Sequence, residues 1–113
     1  MHEVSLMEQT LAIAFDHAQQ QNAQRIHRLK MRIGAVSGVV PEALSFAFDV
    51  VASGTIAEGA TLEIENIPVT CFCPDCDLLF NPPDLFYQCP HCGSYIQKPL
   101  AGQEIELTSL EVS

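Results

Sequence analysis

The apolar residues of the first twenty positions recur with the period of a helix. Val4, Met7, Leu11, Ala14, Phe15 and Ala18 form one stripe, which Leu6 and Ile13 widen. Ser5 and Glu8 have capping-box spacing, so the helix is expected to begin near Ser5 and to leave residues 1–4 outside it. The polar run from Gln19 to Asn22 ends it. The period then changes to two: Leu29, Met31 and Ile33 alternate with Arg28, Lys30 and Arg32, as in a strand with one buried and one wet face, and Gly34 closes the segment. Helical spacing returns after Pro41, which suits a first helical position, in Leu44, Ala47, Phe48 and Val51, with Gly54 placed to terminate it. Leu62 to Ile67 alternates again, and so does Glu104 to Thr108. Two helices with one apolar stripe each and three strands with one apolar face each predict an α+β fold, two helices packed on a three-stranded sheet. Its residues are 1–70 plus 98–113, and residues 71–97 are expected as a separate small domain inserted before the last strand.

Composition supports a single core-forming unit. The chain has 113 residues, 48% of them hydrophobic and 17% charged, which excludes a large multi-domain enzyme and a disordered chain. Fourteen acidic residues against five basic ones give a formal charge of −9. Such a field repels nucleic-acid backbones and anionic membranes, so neither is expected as a partner. The amino terminus has no basic and apolar leader pattern, and no run is long enough to span a bilayer, which points to a cytoplasmic protein with reduced thiols. Arg25, Arg28, Lys30 and Arg32 lie close together, but the other two strands offer Glu63, Glu65, Glu104 and Glu106. Cross-strand ion pairs are the expected use of these cations.

All five cysteines fall between Cys71 and Cys92. They include two C-x-x-C knuckles, Cys73-Pro74-Asp75-Cys76 and Cys89-Pro90-His91-Cys92, twelve residues apart. Four thiolates from two tight turns make a closed tetrahedral site of the kind structural zinc prefers, with iron as the other metal that such a site accepts. The intervening Asn81-Pro82-Pro83-Asp84 suits the far turn of a zinc ribbon. So short a segment buries too little apolar surface to fold alone, and metal binding and folding are expected to be coupled in it. A dithiol redox pair is the rival reading, but such a motif stands at a helix start, whereas here it is duplicated and flanked by proline. Cys71 is surplus: an alternative ligand, a partly exposed thiol, or a small apolar residue where the chain enters the ribbon.

His2 offers an imidazole beside its own backbone nitrogen, the α-amine and the next amide, a supply of nitrogens suited to square-planar Ni(II) or Cu(II). Glu3 adds a carboxylate. A terminal histidine with no such role is simply solvated. With Met1-His2-Glu3, the sequence resembles the HypA/HybF family of nickel metallochaperones for [NiFe]-hydrogenase maturation. The other residues that carry the resemblance are Ile33 to Ser37, Pro41 to Leu44, Phe46 to Phe48, Ala57 to Ala60, the two knuckles, and Leu107 to Glu111. They occur in the family's order and spacing over essentially the whole chain. The resemblance implies nickel held at His2 through side chain and backbone with help from Glu3, and zinc ligated by Cys73, Cys76, Cys89 and Cys92. It also implies two partners, the hydrogenase large-subunit precursor and a HypB-like GTPase, with urease a further recipient in some organisms. Some members carry an acidic nickel ligand near position 40, where this sequence has Val40, with Glu42 two residues on.

The leading expectation is a non-enzymatic nickel carrier, monomeric or homodimeric, with transferable Ni(II) and structural Zn(II). The alternative is a zinc-ribbon adaptor that docks a protein partner without carrying nickel. A thiol redox enzyme is the third reading. His17, His27 and His91 are given no role.

Overall fold

The computed structural model describes residues 2–113. The elements in chain order are α1 (Glu3–Gln20), β1 (Ile26–Gly34), α2 (Pro41–Ala52), β2 (Thr61–Ile67), β3 (Cys71–Cys73), β4 (Leu78–Phe80) and β5 (Ile105–Val112). Three strands form one sheet in the order β2-β1-β5, and β3 and β4 form a separate antiparallel hairpin. β1 runs parallel to β2, a pairing that needs a crossover, and α2 supplies it. β5 returns antiparallel on the other side of β1.

The sheet's apolar face meets the helices as the periodicities require. Met7, Leu11, Ala14 and Ala18 of α1, Leu29, Met31 and Ile33 of β1, and Leu44, Ala47, Phe48 and Ala52 of α2 are buried in one cluster. Thr10 joins the buried face of α1 because its hydroxyl is satisfied locally, donating to the Leu6 carbonyl at 2.9 Å. The start of α1 differs from the capping-box expectation. The helix begins at Glu3, with His2 as N-cap and no side-chain cap. The His2 carbonyl accepts the Leu6 N–H at 3.0 Å, so the first turn closes upstream of Ser5. Glu3 fits this turn because an acidic residue there complements the positive end of the helix dipole.

On the wet face, Arg28 pairs with Glu63, Lys30 lies 3.4 Å from Glu65, and Arg32 sits between Glu65 at 3.8 Å and Glu106 at 3.5 Å. The central cationic strand is thus neutralised by acidic strands on both sides. Arg28 holds the Glu63 carboxyl below the usual carboxylate range, first through their hydrogen bond. Two residues are used differently from the expectation. Arg25 donates to the Glu58 carbonyl at 2.8 Å, and Glu104 accepts the Gly102 N–H at 2.8 Å. Backbone N–H groups, its own first, hold Glu104 low.

β5 runs four residues beyond Thr108, where the alternation in the sequence ends. Lys30 pairs with Ser109 while Met31 pairs with Leu107, so Thr108 is an extra residue in the ladder. Its hydroxyl donates to the Lys30 carbonyl at 3.2 Å. The bulge resets the phase, which brings Leu110 and Val112 onto the core side with Ile105 and Leu107.

Both connections to the cysteine segment are pinned where β1 ends. Thr70 pairs with Ala101, the Gly34 N–H donates to the Glu104 carbonyl at 2.8 Å, and the Val36 N–H donates to the Gly102 carbonyl at 2.8 Å. A Cβ on Gly34 would lie 2.1 Å from the Gly102 carbonyl carbon, and Gly102 has φ +117° with Val69 against it. These glycines let two backbones touch. Gly34→Ala is expected to destabilise the fold by about 3 kcal/mol, the upper range for overpacking, read as a lowered denaturation midpoint. The molecule is long, 54 × 25 × 17 Å, with a radius of gyration of 17.5 Å where a compact chain of this length has about 13 Å.

Candidate metal centre

The cysteine segment has its own small cluster of buried residues, Cys71, Cys73, Phe80 and Cys89. β3 delivers Cys73 into the turn that carries Pro74 to Asp77, and β4 returns from it. Asp77 takes φ +50° to close this turn. In the second knuckle the Cys89 carbonyl accepts the Gly93 N–H at 2.9 Å, and Gly93 has φ +78°, a conformation that favours glycine. Neither knuckle opens a helix. A dithiol activated at a helix N-terminus therefore has no counterpart here.

The two turns bring Cys73, Cys76, Cys89 and Cys92 together, with all four Sγ atoms within 4.8 Å of one another. Cys73 and Cys92 are 3.5 Å apart, close to the edge of about 3.8 Å expected of a tetrahedron with metal–sulfur bonds of about 2.3 Å. Donor type and spacing fit a zinc ion. Cys71 is outside this group; it is fully buried, faces Phe80 across the hairpin, and burial pushes its thiol up. Of the three readings of Cys71, the small apolar residue at the ribbon's entry is the one this placement matches.

Without a cation, four thiols this close cannot all ionise. Ser94 pulls Cys92 down to about 6, first through its hydroxyl and then through its backbone N–H. Cys76 is pushed up to about 12, first by its bond with Cys92 and then by burial, and burial likewise raises Cys73. Metal binding at neutral pH must therefore release protons, those of Cys73 and Cys76 among them, and below about pH 6 that of Cys92 as well. Apparent zinc affinity should rise steeply with pH. Calorimetric titrations in buffers of different ionisation enthalpy would count the protons, and a pH-independent affinity would contradict these assignments.

The amino-terminal residues lie elsewhere. His2 is exposed at the start of α1, and the Glu3 carboxylate accepts the Val40 N–H at 3.5 Å, joining the N-terminus of α1 to that of α2. Periodicity carried no hint of this contact. Met1, whose α-amine belongs to the expected nickel ligands, lies outside the described residues. Among the described residues, the four cysteines are the only group of three or more His, Cys, Asp or Glu side chains placed to share an ion. His2, Glu3 and Glu42 do not form a second one. Also among the described residues, no helix is long and apolar enough to cross a membrane.

Residues 1–112 match the family model described as hydrogenase/urease nickel incorporation, metallochaperone, hypA. The chain belongs to the HypA family. A Picosynechococcus protein named hydrogenase maturation factor HypA is 62% identical over 112 residues, covering 99% of both chains. A relative of the same name from Roseiflexus is 42% identical, over 98% of this chain and 91% of that one. The solution structure of the nickel metallochaperone HypA from Helicobacter pylori matches with a TM-score of 0.67 at 29% identity, covering 99% of this chain and 97% of that one. A second HypA solution structure gives 0.73 at 30% identity, covering 100% and 97%. As a member of a metallochaperone family whose relatives are hydrogenase maturation factors, this HypA chain is a maturation protein and not an enzyme. Two helices on a three-stranded sheet, with a four-cysteine segment before the last strand, is its fold.

Proposed function

We propose that this HypA chain carries Ni(II) at its amino terminus and delivers it during [NiFe]-hydrogenase maturation, while Cys73, Cys76, Cys89 and Cys92 hold a structural zinc ion. The observation that carries this reading is the contrast between two sites in one chain of a nickel-incorporation family. One is a closed group of four thiols, and the other an exposed histidine at the first turn of a helix. A closed site retains its metal; a cargo must leave.

The position of the helix start favours nickel binding for a further reason. The first N–H groups of an α-helix have no intrahelical acceptor, so a metal that displaces amide protons at His2 and Glu3 breaks no helix hydrogen bond. The resulting negative nitrogens would also lie at the positive end of the helix dipole. Beside them the His2 imidazole and the α-amine supply two neutral nitrogens, completing a set of four donors that suits square-planar Ni(II). The Glu3 backbone assists, while its carboxylate holds the loop at Val40.

The recipient in this reading is the hydrogenase large-subunit precursor, reached with a HypB-like GTPase. Residues 1–70 plus 98–113 act as the nickel domain and residues 71–97 as the zinc domain. Titration of zinc-loaded protein with Ni(II) tests the assignment. Stoichiometric uptake with unchanged zinc content is expected. An adaptor that docks partners without cargo would take up none.

A further inference from the structure

The four cysteines are not equally covered. Cys73 and Cys89 are buried and Cys76 is half-buried, whereas Cys92 is exposed. Ser94 stands beside this open side. Its Oγ is 3.2 Å from Cys92 Sγ and 3.4 Å from Asp75 Oδ2, and its carbonyl accepts the Cys89 N–H at 2.8 Å. Asp75 lies inside the first knuckle and Ser94 just after the second, so the serine joins the two turns by contacts that need no metal.

We propose that Ser94 is a positioning residue of the cysteine centre: its hydroxyl, which Asp75 holds between the two knuckles until metal binds, donates to the exposed Cys92 sulfur once that sulfur is a zinc ligand and shields it from attack. The inference rests on the zinc reading above. A hydroxyl both donates and accepts, which suits it to this place. Beside a thiol, Ser94 accepts from Sγ and donates to Asp75. Beside a zinc-bound thiolate, which only accepts, the same O–H rotates away from Asp75 to donate to Sγ. One small group thus serves the centre with and without metal, and no backbone movement is required.

The three better-covered sulfurs are protected by the fold, so chelators and alkylating reagents meet the centre first at Cys92. A hydrogen bond donated to a thiolate withdraws electron density from its lone pairs and lowers its nucleophilicity. Outer hydrogen bonds of this kind are worth about 10–100-fold in metal affinity. Ser94→Ala removes the hydroxyl and keeps the carbonyl that bonds Cys89, so the second knuckle retains its backbone contact.

The test compares the full-length zinc-loaded protein with its Ser94→Ala and Ser94→Thr variants. Zinc content is measured first, then the rate of zinc transfer to EDTA, and then the rate of Cys92 alkylation by iodoacetamide, followed by peptide mass spectrometry. Stoichiometric zinc in all three is expected, with zinc transfer and Cys92 alkylation about 10-fold or more faster in Ser94→Ala and near the parent rate in Ser94→Thr. Equal rates in parent and Ser94→Ala, with zinc bound in both, overturn the role of Ser94 alone. Absence of zinc from the parent protein overturns the zinc reading and this inference with it. Should Ser94→Ala fail to retain zinc, rescue by Ser94→Thr supports the hydroxyl's role, and failure of that rescue overturns it.

Discussion

Cys73→Ser is expected to empty the zinc site and unfold the chain from Cys71 to about Lys98, while α1, α2 and the three-stranded sheet stay folded. The segment contains little else to hold it. Its buried residues are Cys71, Cys73, Phe80 and Cys89, whereas Leu79, Leu85, Phe86 and Tyr95 remain exposed. Two of the four buried residues are members of the sulfur group, so the packing and the metal site are largely the same atoms. Against this, a structural zinc contributes on the order of 10–16 kcal/mol of folding free energy. Serine offers a poor ligand and leaves a hydroxyl where a fully buried sulfur was. The larger core has no residue from this segment. Metal analysis should show zinc lost, and amide spectra should collapse for residues 71–98 while resonances from β1 keep their dispersion. A variant that retained stoichiometric zinc, or lost the signals of the sheet as well, would contradict this division.

His2→Ala is expected to remove nickel binding and leave zinc content untouched. His2 is exposed, and its side chain makes no capping hydrogen bond to α1, so the substitution takes nothing from the fold. The backbone link that closes the first turn, from the Leu6 N–H to the His2 carbonyl, persists with alanine. What disappears is the imidazole, the one side-chain nitrogen offered among residues 2–5. The α-amine and the amides that remain leave a square-planar Ni(II) one donor short, and uptake should fall below detection in equilibrium dialysis. Undiminished nickel affinity in this variant would remove the amino terminus as the cargo site. Since zinc is read in the same samples, a folding failure would be seen separately.

The helices and strands were legible because each is a repeated local choice. Leu29, Met31 and Ile33 can face a core only as alternate residues of a strand, and Leu44, Ala47 and Phe48 only on one side of a helix. The boundaries were less so. Ser5 and Glu8 have the spacing of a cap, yet the first turn closes on His2, because an apparent cap competes with whatever contacts the neighbouring turn can make. At Thr108 the alternation breaks, and sequence reading ends the strand there. The break is a bulge, visible only against the register of β1.

The chain's sequence by itself determined its two periodicities, its charge distribution, and the two turns that each carry a pair of cysteines, since all of these arise between residues a few positions apart. Tertiary structure decided what separate segments do to one another. It brought Asp75 to Ser94 across 19 residues and Glu3 to Val40 across 37, and it pressed Gly34 against Gly102. Such contacts depend on the register and close approach of two stretches at once, so neither stretch alone encodes them. A cysteine pair can thus be recognised as a metal knuckle from its own spacing, and Ser94 stands only two residues from the exposed Cys92, whereas the carboxylate of Asp75 reaches that serine only once both knuckles have met.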